Sequence, residues 1–314
     1  MSIQSQTAAV GAADQAPPAH RRQLSEGARA ERRLGWLLCA PAVIVMIAVT
    51  AYPIGYAVYL SLERYNLELP NAVKFIGLSN YAAVLTSPFW WHALVVTLVI
   101  TVVSVAIELV LGMLLALLMH RTLFGRNTVR TSALIPYGIV TVAAAYSWQF
   151  AWTPSTGYLS ALFGNGAPLS HTGQAVGVII LAEVWKTTPF MSLLLLAGLA
   201  LVYNELLEAA RVDGATAWQR FTNVILPVMK PAILVAVLFR VMDAFRIFDN
   251  IFILTQGSNS TQSVSILGYD QLFVGLNLGI GSAMSVLIFV MIAIIGFGFI
   301  KGFGAAAPGM DTGR

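Results

Sequence analysis

Charge is what this sequence has least of. Only 10% of its 314 residues are Asp, Glu, Lys or Arg, against about 25% in a soluble globular domain. Hydrophobic residues make up 58% and the mean hydropathy is +0.77, so a water-soluble globule is excluded. Cysteine is nearly absent. Cys39 stands alone, which rules out any internal disulfide. The four histidines show neither an HExxH pair nor any other metal spacing, so no metal site is expected. A GxSxG elbow is missing, and so is a GxxxxGK[ST] phosphate loop; the usual signatures of a serine hydrolase and of an ATP site are therefore both lacking. No internal repeat is visible, which removes the inverted halves common in secondary transporters.

What is present is long apolar runs. A spanning helix needs about 20 mostly apolar residues. Six stretches qualify, at roughly 35–62, 91–119, 132–152, 176–203, 231–254 and 279–303. The expected fold class is therefore an all-α membrane protein with six transmembrane helices. The first run is too long for a signal-peptide core and follows a 33-residue polar tail, so it reads as an uncleaved span. Pro41 and Pro53 within it predict a bent or broken helix. Polar segments at 63–90, 153–175 and 255–278 read as loops, the second with a short surface helix at 158–163.

Basic residues are distributed unevenly. Residues 1–33 end in Arg21, Arg22, Arg29, Arg32 and Arg33. They read as a disordered tail with a basic end abutting a span, not as a nucleic-acid arm. With the N-terminus inside, thirteen Lys and Arg fall in cytoplasmic segments, and the outer loops hold only Arg64 and Lys74. The positive-inside rule then places both termini in the cytoplasm. The expected organisation is a tail at 1–33, a six-helix domain at 34–304 with a cytoplasmic loop at 204–227, and a short cytoplasmic tail at 305–314.

That loop is the most informative segment. Asn204 suits a helix N-cap and Glu205 its positive end. Glu208 and Arg211 can pair across one turn. Gly214 suits a left-handed stop. Thr216 and Gln219 fit a capping box. Trp218, Phe221 and Val224 form a short apolar stripe that Pro227 should end, and Pro231 suits the first turn of the next span. Two short helices around a glycine turn are predicted.

Glu208-Ala209-Ala210, three residues, Gly214, nine residues, then Val224-Ile225-Leu226-Pro227 resembles the EAA motif of the membrane subunits of binding-protein-dependent ABC importers. Val224 stands where the motif has Ile. Further segments resemble the carbohydrate branch: Ala40-Pro41, Tyr52-Pro53-Ile54, Phe75 to Tyr81, Trp185 with Pro189-Phe190, and Phe248-Asp249 with Leu254-Thr255. The branch often has Gly-Gly-Pro after the last of these; here Gln256-Gly257-Ser258 follows. The likeness covers about residues 34–304. Within the branch, Ile135–Thr141, Glu183–Gly198 and Asp243–Asn250 resemble the permeases of trehalose importers.

The resemblance implies the type I permease fold in a multi-pass inner-membrane subunit. It implies a second, different permease, a dimeric cytoplasmic ATPase and an extracytoplasmic sugar-binding protein or lipoprotein, with membrane lipid around the spans and no nucleic acid. ATP and magnesium would be used by the ATPase, with no cofactor and no catalysis here. Glu208, Ala209, Ala210, Asp213, Gly214, Leu226 and Pro227 would dock on the ATPase. The solute would be a neutral disaccharide, trehalose first. Another α-glucoside or a glycerol phosphate compound stays open, with a secondary transporter or a membrane enzyme as remoter rivals.

Seven charges lie in or beside the spans: Glu108, Glu183, Lys186, Arg240, Asp243, Arg246 and Asp249. Each costs on the order of 2.5–3.5 kcal/mol at a span centre, so lipid-facing placement of several is excluded. Glu183 can pair with Lys186. Arg240, Asp243, Arg246 and Asp249 alternate in sign and would slant around one helix as a polar track. Two readings stay open: a static ion-pair network between helices, or a path that hydrogen-bonds sugar hydroxyls. The path candidates are Glu183, Lys186, Thr187, Arg240, Asp243, Arg246, Asp249 and Asn250. The seven charges sum to −1, which suits a neutral solute better than a phosphorylated one. Tyr146, Trp148, Phe150 and Trp152 read as an interfacial aromatic belt more readily than as a sugar platform.

Overall fold

A computed structural model describes residues 26–121, 126–162 and 166–303. Contacts divide the chain into two units, Met1–Gly55 and Tyr56–Arg314. Helix α1 (Glu26–Ser61) begins in the first and ends in the second. It starts within the segment expected to be disordered, because Ala, Glu and Arg at 26–33 are good helix formers and an existing helix propagates at little cost. The rest of that tail, residues 1–25, and the C-terminal tail lie outside the described residues. Pro41 and Pro53 do not break α1.

In the second unit a two-residue hairpin, β1 (Glu63–Arg64) with β2 (Lys74–Phe75), follows α1 and leads into α2 (Ser79–Thr86). The Asn80 amide donates to the carbonyls of Ser61 and Glu63, both at 2.8 Å, which pins the end of α1. Next come α3 (Pro88–Arg121), α4 (Arg126–Gly138), α5 (Thr141–Ala151) and α6 (Tyr158–Leu162). Then follow α7 (Thr172–Leu199), α8 (Asn204–Val212), α9 (Ala217–Arg220) and α10 (Leu226–Ala244). The chain closes with α11 (Asp249–Leu254), α12 (Val264–Tyr269) and α13 (Leu278–Phe303).

Among the described residues, five helices are long and apolar enough to cross a membrane: Arg33–Ser61, Pro88–His120, Thr172–Leu199, Ala217–Ala244 and Leu278–Gly302. The sixth expected span, 132–152, is split into α4 and α5 at Ile139-Val140. Pro136 lacks the N–H that would bond one turn back, and Gly138 is a weak helix former. The span expected at 231–254 also differs. Its helix stops at Ala244 and restarts as α11 at Asp249, whose carboxylate suits a helix N-terminus. The outer segment expected as a loop at 255–278 carries α12 and a π turn at Asp270–Val274.

The core is built on α3, α7 and α10. Met113 and Ala116 of α3, Met191 and Leu195 of α7, and Met229 and Ala236 of α10 bury together. Lipid tails are as apolar as these side chains, so close packing must hold the bundle. Two glycines permit it. A Cβ on Gly112 would lie 2.8 Å from the Met191 side chain, and one on Gly198 would lie 2.6 Å from Ala232 Cβ. A second cluster packs Val84, Trp90, Phe245, Leu267 and Met284 at the other end of α3. A third joins Ile100, Ile179, Ile251 and Ile266.

Candidate translocation site and coupling loop

Arg240 is fully buried and holds the polar centre together. Its Nε donates to Glu108 Oε2 at 2.5 Å, and its Nη2 donates to Glu108 Oε1 at 3.0 Å. Nη2 also donates to Glu183 Oε1 at 2.6 Å, and Nη1 to Asp243 Oδ2 at 2.7 Å. Thr187 Oγ1 donates to Glu108 Oε1 at 2.7 Å, and Asn250 Nδ2 to Glu183 Oε2 at 2.5 Å. One guanidinium thus joins α3, α7 and α10, and Glu183 carries the network on to α11. The planar fork of Arg suits several carboxylates at once, which a lysine ammonium could not match.

This arrangement corrects three expectations. Glu183 does not pair with Lys186; it turns to Arg240. Lys186 Nζ instead donates to the Ile139 carbonyl at 2.6 Å. The break between α4 and α5 frees that carbonyl from helical bonding, and broken backbone at membrane depth is tolerated where protein partners satisfy it. The alternating track also fails to form as one row. Arg240 pairs with Asp243, but α10 ends before Arg246. Arg246 and Asp249 join no ion pair among the described residues. Glu108, absent from the path candidates, proves to be the principal partner of Arg240. Its signal was available, because a lone carboxylate in the long apolar α3 needs a buried cation.

Beside this network lies a cavity of about 570 Å³. Glu183, Lys186, Asp243, Arg246, Asp249 and Asn250 line it, together with Thr187. Seven of the eight path candidates therefore converge on one space, and Arg240 stands behind them. Tyr137 and Phe248 supply aromatic faces on the wall. Tyr137 stacks on Phe190 at 5.2 Å between ring centroids, and Phe248 on Phe252 at 5.2 Å. Both rings are thus braced from behind. The four aromatics expected as a belt do not line this space. Tyr146 and Phe150 are exposed, which fits the belt. Trp148 packs edge-on to Trp185.

The Glu208 loop takes the predicted form at its turn. Helices α8 and α9 flank Gly214, whose φ of +78° is left-handed. Thr216 and Gln219 make the reciprocal capping box. Three details differ. The N-cap of α8 is Tyr203, and Asn204 is the first helical residue. Arg211 forms no ion pair with Glu208 among the described residues. Pro227 does not end the second helix, because a π turn at Phe221–Ile225 carries α9 into α10. Leu226 N–H reaches back to the Phe221 carbonyl. The wider turn relieves the clash a proline ring makes with the preceding turn. Glu208, Ala209, Asp213 and Gly214 are exposed, and Ala210 and Leu226 are half-buried.

A bundle with a broken span, a mixed-charge cavity and a projecting helix-turn-helix defines a membrane transport subunit. Residues 76–304 match the family model described as binding-protein-dependent transport system inner membrane component. The chain belongs to that family. It is 66% identical to the trehalose transport system permease protein SugA of Mycobacterium tuberculosis, over 91% of this chain and 94% of that one. It is 36% identical to the trehalose/maltose transport system permease protein MalF of Thermococcus litoralis, over 86% and 94% of the two chains. Among solved structures it is similar in fold to a chain of a bacterial ABC transporter that imports the acidic polysaccharide alginate. That match has a TM-score of 0.76 and 23% identity, and covers 90% of this chain and 100% of that one.

Proposed function

We propose that this chain is one of two unlike permease subunits of an ATP-driven importer of trehalose in the cytoplasmic (inner) membrane. The observation that carries a sugar is the cavity. It offers two cations, Lys186 and Arg246, and three carboxylates, Glu183, Asp243 and Asp249, beside Tyr137 and Phe248. Such a wall hydrogen-bonds many hydroxyls and stacks on a sugar ring. Its near-balanced charge suits a neutral solute better than a phosphate ester. The names of the two relatives support trehalose among neutral sugars.

The partners follow from the same reading. An extracytoplasmic sugar-binding protein delivers the solute, and the second permease completes the path. A cytoplasmic ATPase dimer grips α8 and α9, with Glu208 facing its basic residues. ATP and magnesium act there, and this chain binds neither. Both termini and the Glu208 loop are cytoplasmic, as the thirteen-to-two basic count supports. The test is uptake of labelled trehalose by cells that carry the complete transporter and by cells deleted for this chain. Uptake should fall to background on deletion and return with the wild-type chain. Unchanged trehalose uptake after deletion would remove the assignment.

A further inference from the structure

A second, more apolar cavity lies apart from the polar one. A space of about 970 Å³ lies between the inner half of α3, the loop helices α8 and α9, and the start of α10. Leu109, Leu114 and Leu117 line it from α3, and Ile225 and Ile233 face them. From Leu109 to His120 it follows α3 for roughly 16 Å, at 1.5 Å per residue. Polar groups gather toward one end: His120, Asn204, Arg211 and Arg220. Among the described residues no carboxylate lines it. Arg220 Nη1 donates to the Ala215 carbonyl at 2.6 Å, and the same residue lines the space. The shape is that of an amphiphile, apolar along its length and cationic at one end.

We infer that this cavity is a binding site for an anionic glycerophospholipid. One acyl chain lies between α3 and α10, and the phosphate sits under Arg211 and Arg220. Charge and depth together select this occupant. Basic pockets between membrane helices on the cytoplasmic side attract anionic headgroups, and guanidinium forks match phosphate oxygens. A soluble ATPase cannot reach the apolar depth beside Leu109 and Ile233. Left to water, the apolar side chains lining this space would forgo the gain of burial. The lipid would wedge the coupling loop against α3 and so tie the grip of the ATPase to the composition of the membrane. The inference rests on the membrane placement of the chain and not on the identity of the sugar.

The test uses the assembled transporter in detergent, mixed with phosphatidylglycerol or phosphatidylcholine and weighed intact by native mass spectrometry. One phosphatidylglycerol should be retained with about thirtyfold preference over phosphatidylcholine, as two arginines near a headgroup imply. Leu114→Trp, which fills the cavity, and Arg211→Gln should each abolish most of that preference. Equal retention of the two lipids by the wild-type complex would overturn the inference, and that comparison needs no variant to fold. Displacement of the lipid by inorganic phosphate would overturn the acyl half of the site. Cross-linking of the Leu114→Cys variant to another subunit, with no lipid retained, would overturn the inference and assign the space to protein.

Discussion

Arg240 engages three carboxylates from inside the bundle. Burying charge carries a desolvation cost that only complete pairing offsets. Removing the cation leaves Glu108 and Glu183 buried and facing each other. Arg240→Met should therefore destabilise the assembled subunit by about 3–5 kcal/mol, read as a lower thermal midpoint of the solubilised complex. Adding Glu108→Gln to that variant should recover part of the loss, because contacting sites are not additive. Arg246 differs. It lines the cavity and joins no ion pair among the described residues. Arg246→Ala should leave the midpoint unchanged and weaken trehalose uptake at low concentration about tenfold, the range of one charge-assisted hydrogen bond. A drop in the midpoint without loss of uptake would assign Arg246 a structural role instead.

Breaks decide function at the scale of elements. The break after Gly138 presents the Ile139 carbonyl to Lys186 and opens the wall that Tyr137 and Val140 line. Nothing lies within 4 Å of a Cβ on Gly138, so alanine fits there. The double variant Pro136→Ala, Gly138→Ala should extend α4 and compete for that carbonyl. Slower hydrogen exchange at residues 139–141 with impaired trehalose uptake is the expected result. In the loop, Gly214 at φ +78° makes Gly214→Ala cost roughly 1 kcal/mol through left-handed strain, and a weaker hold on the ATPase should follow in co-purification.

Much of this was legible in the residues. The lengths of four of the six expected spans, the helix-turn-helix around Gly214 and the Thr216–Gln219 box follow from hydropathy, φ preference and capping, which are local. The candidates of the polar site were legible as charges that lipid cannot accept. Their pairing was not. Glu183 and Lys186 are neighbours on one helix, yet Glu183 pairs with Arg240 of α10 and Lys186 with the Ile139 carbonyl in the break between α4 and α5, and only tertiary packing decides that. The π turn before Pro227 escaped for the same reason. A proline reads as a stop until the helix on either side is held by the bundle.

At the scale of the whole molecule, two helices link the loop to the cavity. Helices α7 and α10 carry Glu183 and Arg240 at one level, and both run to α8 and α9 at the other. Under the proposed grip of the ATPase, movement of the loop reaches the cavity through two helices that Arg240 ties together. A neutral solute follows from the wall, so glycerol phosphate should fail to compete with trehalose for uptake. The most direct measurement is ATP-driven trehalose accumulation in proteoliposomes holding the complete transporter, with and without Glu208→Lys in this chain. The account predicts accumulation by the wild type, and with Glu208→Lys a loss of both accumulation and ATPase retention. Undiminished accumulation with Glu208→Lys and the ATPase still bound would contradict it.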